Sequence, residues 1–216
     1  MTDYFQYGEK EVEHLKRVDT RLAAIIDQVG MIERSVIPDL FTALVYSIVG
    51  QQISTKAHKT ICERIQKALG TITTVVIDSL TLNELQQFGI TFKKAGYIKS
   101  TARKILTNEF DINSLYSMSD KEVCAKLSEL DGIGVWTAEM LMIFSMQRPN
   151  VLSYGDLAIL RGLRMVYHHR KIDKAKFNRY WKRYTPYASV ASLYLWAVAG
   201  GAIDGMKDGA PKKSKL

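Results

Sequence analysis

With 216 residues, of which 47% are hydrophobic and 24% charged, the chain has the composition of a globular protein with a substantial core. The formal net charge is +8, and residues 161–216 carry 13 Lys and Arg against 3 Asp and Glu, which favours a polyanionic partner without excluding a merely basic protein. Two widely separated cysteines exclude a four-cysteine iron–sulfur cluster, and no apolar stretch is long enough to span a membrane.

Apolar residues at helical spacing dominate the first half of the chain. Between Val12 and Ile26 they predict a first helix that ends at Gly30. Further helices are predicted to begin near Pro38 and to span about residues 54–69, 82–88 and 92–107. The segment Thr71–Ile77 is rich in β-branched residues and could form a strand, but a lone strand would have nothing to pair with.

The second half has the same helical character and contains no repeat or linker. Its predicted helices span about residues 120–128, 135–146, 156–167, 174–184 and 187–200. The sequence therefore predicts an all-α chain with short connections between helices.

A short glycine turn, Gly132-Ile133-Gly134, separates two of these helices. Glycine permits the positive φ of a tight turn and lets a ligand approach the main chain. The first amides of the next helix, from Gly134 to Thr137, lie at the positive end of its dipole, which suits a phosphate. A plain turn between two helices remains the alternative.

Asp156 opens the helix predicted at residues 156–167. A carboxylate in this place is suited to stabilising a cation that forms during a reaction. Aspartate is also a favoured residue for capping the start of a helix, so the local sequence alone leaves both interpretations open.

The string Gly132–Ala138, in which Trp136 follows the glycine turn, resembles the helix–hairpin–helix superfamily of DNA base-excision glycosylases, and within it the 3-methyladenine DNA glycosylase II branch. The resemblance runs from about residue 36 to residue 200. It is carried further by residues 47–54, 88–90, 93–94, 97–98, 156–158, 161–162 and 194–196.

The resemblance implies an all-α, two-lobed helix–hairpin–helix glycosylase fold with a cleft between the lobes. One lobe is expected at residues 36–138, and the other at residues 1–35 with 139–216. It implies neither an organic cofactor nor an iron–sulfur cluster. A structural Na⁺ or K⁺ is expected at the hairpin, on the main-chain carbonyls of Ser128, Leu130 and Ile133.

The resemblance also assigns the catalytic carboxylate and the base pocket. Asp156 matches the catalytic aspartate, and Trp136 and Trp196 match tryptophans of the base pocket, with core packing as the alternative for both. Tyr154 is a pocket candidate because it lies close to Asp156. The branch often has a proline and a second aspartate where Tyr154 and Gly155 stand here, which puts substrate preference in question.

Residue 136 separates two reaction types. Relatives that also nick the strand have there a lysine that forms a Schiff base with the sugar, and Trp136 cannot do this. A monofunctional enzyme is therefore expected, although a neighbouring lysine could still support weak lyase chemistry.

Two glutamines break an otherwise apolar helix after Gly50. Gln52 aligns with the residue that fills the gap left by a flipped base, Gln51 is the neighbouring alternative, and a simple solvent-exposed turn is the structural alternative. With Gly132, Gly134 and Thr137 they form the expected DNA-binding set.

The resulting prediction is a monofunctional DNA glycosylase that hydrolyses the N-glycosidic bond of alkylated purines in base excision repair. Its expected partner is double-stranded DNA with damaged bases. The protein is expected to be a monomer without membrane contact, cytoplasmic and associated with the nucleoid in a bacterium, or nuclear in a eukaryote. The alternatives are a glycosylase with lyase activity on other damaged or mismatched bases, and a non-catalytic DNA-binding module.

Overall fold

Twelve α-helices carry nearly all the regular structure of residues 3–211, the part of the chain described by this computed structural model. They are α1 (Glu9–Val18), α2 (Thr20–Val29), α3 (Leu40–Gly50), α4 (Thr55–Leu69), α5 (Thr74–Ser79), α6 (Leu82–Gln87), α7 (Phe92–Leu106), α8 (Asp120–Leu127), α9 (Val135–Phe144), α10 (Leu157–Tyr167), α11 (Lys174–Tyr184) and α12 (Ala188–Ala199). The predicted all-α fold is confirmed. None of these helices has the length and apolar character that a membrane span requires.

The remaining regular structure of residues 3–211 is short. A 3-10 turn spans Ser114–Ser117. Two-residue strands, β1 (Asp3–Tyr4) and β2 (Ser35–Val36), pair antiparallel, with Asp3 opposite Val36. Neither strand has the length at which alternation of polar and apolar residues becomes visible in a sequence, which is why no strand was predicted there.

The helices belong to two compact units, one made of Met1–Val36 with Gln147–Leu216 and the other of Ile37–Met146. The sequence-based division ended the second of these at residue 138. In the structure α9 runs unbroken from Val135 to Phe144, and the unit continues to Met146. The boundary therefore follows a helix instead of cutting one.

Within the first unit, α10 packs closely along α12. A Cβ at Gly162 would collide with the carbonyl of Leu195, so the missing side chain is what lets the two helices approach. Most of α12 is buried, and Tyr194 is among the largest fully buried side chains. This packing fixes the position of α10 and of Asp156 at its start.

The first predicted helix is in fact two helices, which corrects the sequence-based assignment. Asp19 lies between α1 and α2 in an extended conformation, with φ −150° and ψ 104°. Its buried carboxylate accepts hydrogen bonds from the amide of Leu22 at 2.9 Å, the hydroxyl of Tyr167 at 2.9 Å and the guanidinium of Arg183 at 2.6 Å. The break is stabilised by residues far away in sequence, so apolar periodicity alone does not reveal it.

The second unit is built around α3, which packs against α4, α7 and α9. Its buried residues surround the helix and are Leu40, Phe41, Ala43, Leu44, Val45, Ile48 and Val49. In the same unit α5 and α6 pack on α7, and α8 packs on α9. The hairpin between α8 and α9 is thereby attached to the core of this unit.

The β-branched segment Thr71–Ile77 enters a helix and forms no strand. Thr73 caps α5, because its hydroxyl oxygen accepts the amide N–H of Val76 at 3.2 Å. Ile77 is buried. A local cap and burial thus outweigh the modest strand preference of these residues.

Candidate functional site

The glycine turn has a conformation that only glycine adopts without strain. Gly132 has φ +82°, and a Cβ at this position would lie 2.5 Å from Cδ2 of Tyr97. Leu130 and Ile133 are buried, and the amide of Ile133 donates to the carbonyl of Leu130 at 3.0 Å. The turn is therefore anchored in the core by its apolar residues and shaped by Gly132.

The start of α9 is open and has no side-chain cap. Gly134 is the N-cap residue, and a Cβ there would meet no heavy atom within 4 Å. The first turn thus combines helix-dipole amides with free space, the arrangement that binds a phosphate. Trp136, with 48% of its surface exposed, lies in this turn, whereas Thr137 is only 8% exposed. Thr137 therefore has little surface available for a DNA contact.

The structure distinguishes the two glutamines that follow α3. The side-chain amide of Gln51 donates to the carbonyl of Gly132 at 2.7 Å, which joins this loop to the hairpin. Gln52 is exposed and has φ +57°, an uncommon conformation for a residue other than glycine. Gln51 is therefore committed to an internal contact, and Gln52 extends into solvent.

Lys94 binds the main chain of this loop, and the sequence analysis did not identify it as a site residue. From α7, its ammonium group donates to the carbonyls of Val49 at 2.9 Å and Gln51 at 2.6 Å. Burial lowers the pKa of Lys94. The neighbouring Lys93 instead lies over the ring of Tyr97, at 5.7 Å from its centroid. The sequence shows a Lys–Lys pair, but nothing in it indicates that one of the two lysines donates to the carbonyls at the C-terminal end of α3.

Asp156 does cap α10, as the structural alternative predicted. One carboxylate oxygen, Oδ1, accepts the amides of Ala158 at 2.8 Å and Ile159 at 2.9 Å. The residue is 7% exposed. Two amide donors and burial hold the carboxylate in one orientation, which a capping role and an electrostatic role in catalysis would both use.

The two further pocket candidates of this unit have different surroundings. The ring of Tyr154 packs edge-on against Phe177, with centroids 5.1 Å apart, and the ammonium group of Lys174 lies 4.4 Å from its centroid. A face that already holds a cation is less suited to a cationic base. Trp196 is half-buried on α12, whose other side chains are mostly buried.

The predicted residues are divided between the two units. Residues of Ile37–Met146 are Gln51, Gln52, Ser128, Leu130, Gly132, Ile133, Gly134, Trp136 and Thr137. Residues of the other unit are Tyr154, Asp156 and Trp196. Within the first set, the Gln51–Gly132 hydrogen bond brings the glutamine loop and the hairpin together.

The sequence model of the HhH-GPD superfamily of base excision DNA repair proteins matches residues 45–186, well over half of the chain. The chain belongs to this superfamily. The hairpin, the glutamine loop and Asp156 all lie within the matched region, whereas Trp196 lies beyond its end.

The similarity to solved structures extends over nearly the whole chain. A DNA-3-methyladenine glycosidase from Bacillus halodurans superposes with a TM-score of 0.82 at 33% identity, covering 94% of this chain and 95% of that one. A 3-methyladenine DNA glycosylase from Schizosaccharomyces pombe, solved in complex with abasic DNA, has a TM-score of 0.77 at 25% identity and covers 89% of this chain and 98% of its own.

A further relative is known from its sequence. The Bacillus subtilis protein YfjP, whose name marks it as a candidate DNA-3-methyladenine glycosylase, is 26% identical over 189 residues, which are 82% of this chain and 65% of the relative. This chain therefore spans slightly less than two thirds of that protein.

The predicted monovalent-cation site uses main-chain carbonyls and no side-chain ligand. No group of three or more His, Cys, Asp or Glu among residues 3–211 is arranged to hold a metal ion. Ser128, Leu130 and Ile133 lie in or beside the hairpin turn, and the carbonyl of Leu130 also accepts the amide of Ile133. Main-chain carbonyl oxygens are neutral ligands, a type that suits a monovalent cation.

Proposed function

We propose that this HhH-GPD protein is a monofunctional DNA glycosylase, which hydrolyses the N-glycosidic bond of alkylated purines in duplex DNA. The observation that carries the proposal is the open first turn of α9 with Trp136 in it. This turn offers amides for a phosphate and an aromatic face for an electron-poor base, but no amine for a Schiff base. The similarity to proteins named as 3-methyladenine glycosylases supports the same substrate class.

The proposed mechanism gives Asp156 an electrostatic role. The bond between C1′ and the base nitrogen breaks, and a cationic alkylated purine departs neutral while positive charge develops on the sugar. The Asp156 carboxylate stabilises this charge, and a water oxygen then forms the new bond to C1′ as its proton passes to solvent or to the carboxylate. The two amides on Oδ1 keep the group oriented without reorganisation during the reaction.

The remaining residues bind and hold the DNA in this proposal. The amides at Gly134 and beyond receive a phosphate, Gln52 fills the gap in the duplex, and Trp136 stacks on the extruded base. Trp196 contributes a second aromatic face. A Na⁺ or K⁺ on the carbonyls of Ser128, Leu130 and Ile133 would add positive charge beside the phosphate.

The proposal includes the setting in which the protein works. One flipped base needs one pocket, so the protein acts as a monomer on double-stranded DNA. It works where chromosomal DNA is found, in the nucleoid of a bacterium or in a nucleus. Sedimentation of the protein with and without a duplex tests the monomer directly, because a second copy on the DNA would double the protein mass bound.

The test uses methylated duplex DNA and the Asp156→Asn variant. The wild type should release free methylpurines and leave strands that break only after alkali. Asparagine caps a helix nearly as well as aspartate, so Asp156→Asn should fold and bind DNA but lose at least about 10²-fold in excision rate. Asp173→Asn is the matched control, because Asp173 caps α11 in the same way, accepting the amide of Lys176 at 2.8 Å.

Three outcomes would contradict the proposal. Unchanged excision by Asp156→Asn would leave Asp156 as a cap alone. Binding without any base release would favour a DNA-binding module. Strand breaks without alkali, with a protein–DNA adduct trapped by borohydride, would identify a lyase.

A further inference from the structure

The first unit contains a cavity of about 440 Å³ where α10 ends, at the opposite end of that helix from Asp156. Side chains from four helices or their ends line it, among them Arg17, Asp19, Arg21, His169, Tyr180 and Arg183. None of these residues belongs to the site of the proposed function. A volume of this size is within the range of cavities that hold small ligands.

Positive charge exceeds negative charge in this cavity. Its one carboxylate, Asp19, is already satisfied by Arg183 at 2.6 Å and by two further donors. Arg17 donates only to a ring nitrogen of His14, at 3.2 Å, and Arg21 forms no ion pair within residues 3–211. Two guanidinium groups therefore border the cavity without a carboxylate partner.

The surrounding helices strengthen this positive field. Arg21 lies in the first turn of α2, where the helix dipole disfavours a cation. The neighbouring α11 has no acidic residue, and its cations are Lys174, Lys176, Arg179, Lys182 and Arg183. Such a cluster becomes more stable when an anion binds in it.

His169 lines the same cavity, and its pKa is affected by the surrounding positive charge. Its Nε2 lies 2.7 Å from the hydroxyl of Tyr180. Burial lowers the pKa of His169, and the charges of Lys176, Arg21 and Arg179 lower it further, against a smaller opposing effect of Asp173. An anion bound beside the ring would reverse this effect and favour the protonated imidazole.

We propose that this cavity is a second binding site of the protein, specific for a phosphate group, in which Arg17 and Arg21 contact the oxygens and His169 donates a further hydrogen bond. Guanidinium groups match phosphate oxygens in geometry and charge. The cavity has room for more than a bare phosphate, so the group can come from inorganic phosphate, a mononucleotide or the backbone of DNA.

The test measures the pKa of His169 by NMR in the full chain, with its ring signals assigned by their loss in His169→Gln. Inorganic phosphate should raise this pKa saturably by about one unit relative to chloride at equal ionic strength. Arg21→Gln should weaken the apparent phosphate affinity roughly tenfold, the effect of losing one charge-assisted hydrogen bond. Arg17→Gln provides a second, independent variant should Arg21→Gln prove unstable.

Arg170→Gln is the matched control. It removes the same charge from the residue next to His169, but Arg170 does not line the cavity. Phosphate affinity should therefore stay close to that of the wild type. Equal weakening by Arg170→Gln and Arg21→Gln would show diffuse attraction instead of a site and would overturn the proposal.

Separate arms identify the source of the phosphate group. If an undamaged duplex raises the His169 pKa in the wild type but not in Arg21→Gln, the site binds the DNA backbone. If inorganic phosphate or a deoxynucleoside monophosphate acts while the duplex does not, the site binds a free phosphate or nucleotide. Both results support the site. A His169 pKa that stays unchanged with inorganic phosphate, the nucleotide and the duplex alike refutes it. The readout does not depend on base excision, so failure here and failure of the glycosylase proposal are distinguishable.

Discussion

Lys94 is a single residue on which the loop after α3 depends. Its two hydrogen bonds end on the carbonyls of Val49 and Gln51, directly before Gln52 with its φ of +57°. A residue in this conformation stays there only when its surroundings enforce it. We predict that Lys94→Met lowers the excision rate about tenfold or more, because a small displacement of a positioning loop costs catalysis heavily.

The matched control for this prediction is Lys93→Met. Lys93 is adjacent and carries the same charge, but its ammonium group lies over the ring of Tyr97, and no hydrogen bond within residues 3–211 joins it to the loop. Single-turnover excision and duplex affinity should be measured for both variants, with thermal unfolding to verify the fold. Equal rates for the two variants would remove the positioning role of Lys94, whereas a loss in Lys94→Met that Lys94→Arg restores would support it.

Asp208 has a purely structural role at the same scale. It accepts two hydrogen bonds from Arg164, both at 2.6 Å, and this pairing lowers the pKa of Asp208. A carboxyl with a lowered folded-state pKa stabilises the protein above its unfolded-state pKa, and the contribution disappears as the pH falls through the folded-state pKa. Asp208→Asn should therefore cost about 1 to 2 kcal/mol at neutral pH and almost nothing in strong acid.

Urea unfolding of the wild type and Asp208→Asn at several pH values checks this prediction. Asp204→Asn is a suitable control, because Asp204 lies in the same segment and is exposed. A destabilisation of Asp208→Asn that does not shrink with falling pH would mean that the ion pair is not its cause.

At the scale of elements, the two glycines of the hairpin between α8 and α9 differ in whether a side chain could replace their hydrogen. Gly132 has φ +82° and no space for a Cβ beside Tyr97, whereas Gly134 has φ −91° and open space. Gly132→Ala should lower the free energy of unfolding by at least about 1 kcal/mol and weaken duplex binding. Gly134→Ala should cost less, because it has space and an ordinary φ and loses only the preference of an N-cap for glycine over alanine. Denaturant titration of both variants decides between these expectations.

Most helices could be predicted from the sequence because their determinants are local. Ser54, Thr91 and Ser119 each precede an apolar helical pattern, and in the structure each caps its helix. The glycine turn was likewise visible, since Gly132 and Gly134 flank an apolar residue between two helices. Apolar spacing therefore located the elements, and the two glycines located the hairpin.

Other features depend on partners that are distant along the chain. The break at Asp19 needs Tyr167 and Arg183, and the contact of Lys94 with Val49 spans 45 positions. The burial of the Thr137 side chain likewise follows from how helices pack, not from local sequence. Pairwise contacts of this kind leave no periodic signal in one sequence, so the supporting residues of the site required the structure.

For the whole molecule, the net charge of +8 predicts DNA binding that depends strongly on salt. Each phosphate neutralised by the protein should contribute about 0.9 to the slope of log affinity against log salt concentration, because binding releases counterions. If the cavity bordered by Arg17 and Arg21 contacts the DNA backbone, Arg21→Gln should reduce this slope by about 1. If the cavity binds free phosphate only, the slope of Arg21→Gln should equal that of the wild type. Titration of a fluorescent undamaged duplex at several salt concentrations measures the slopes of the wild type and of Arg21→Gln. Comparing them shows whether the Arg21 charge contributes to DNA binding or only to the binding of a free phosphate.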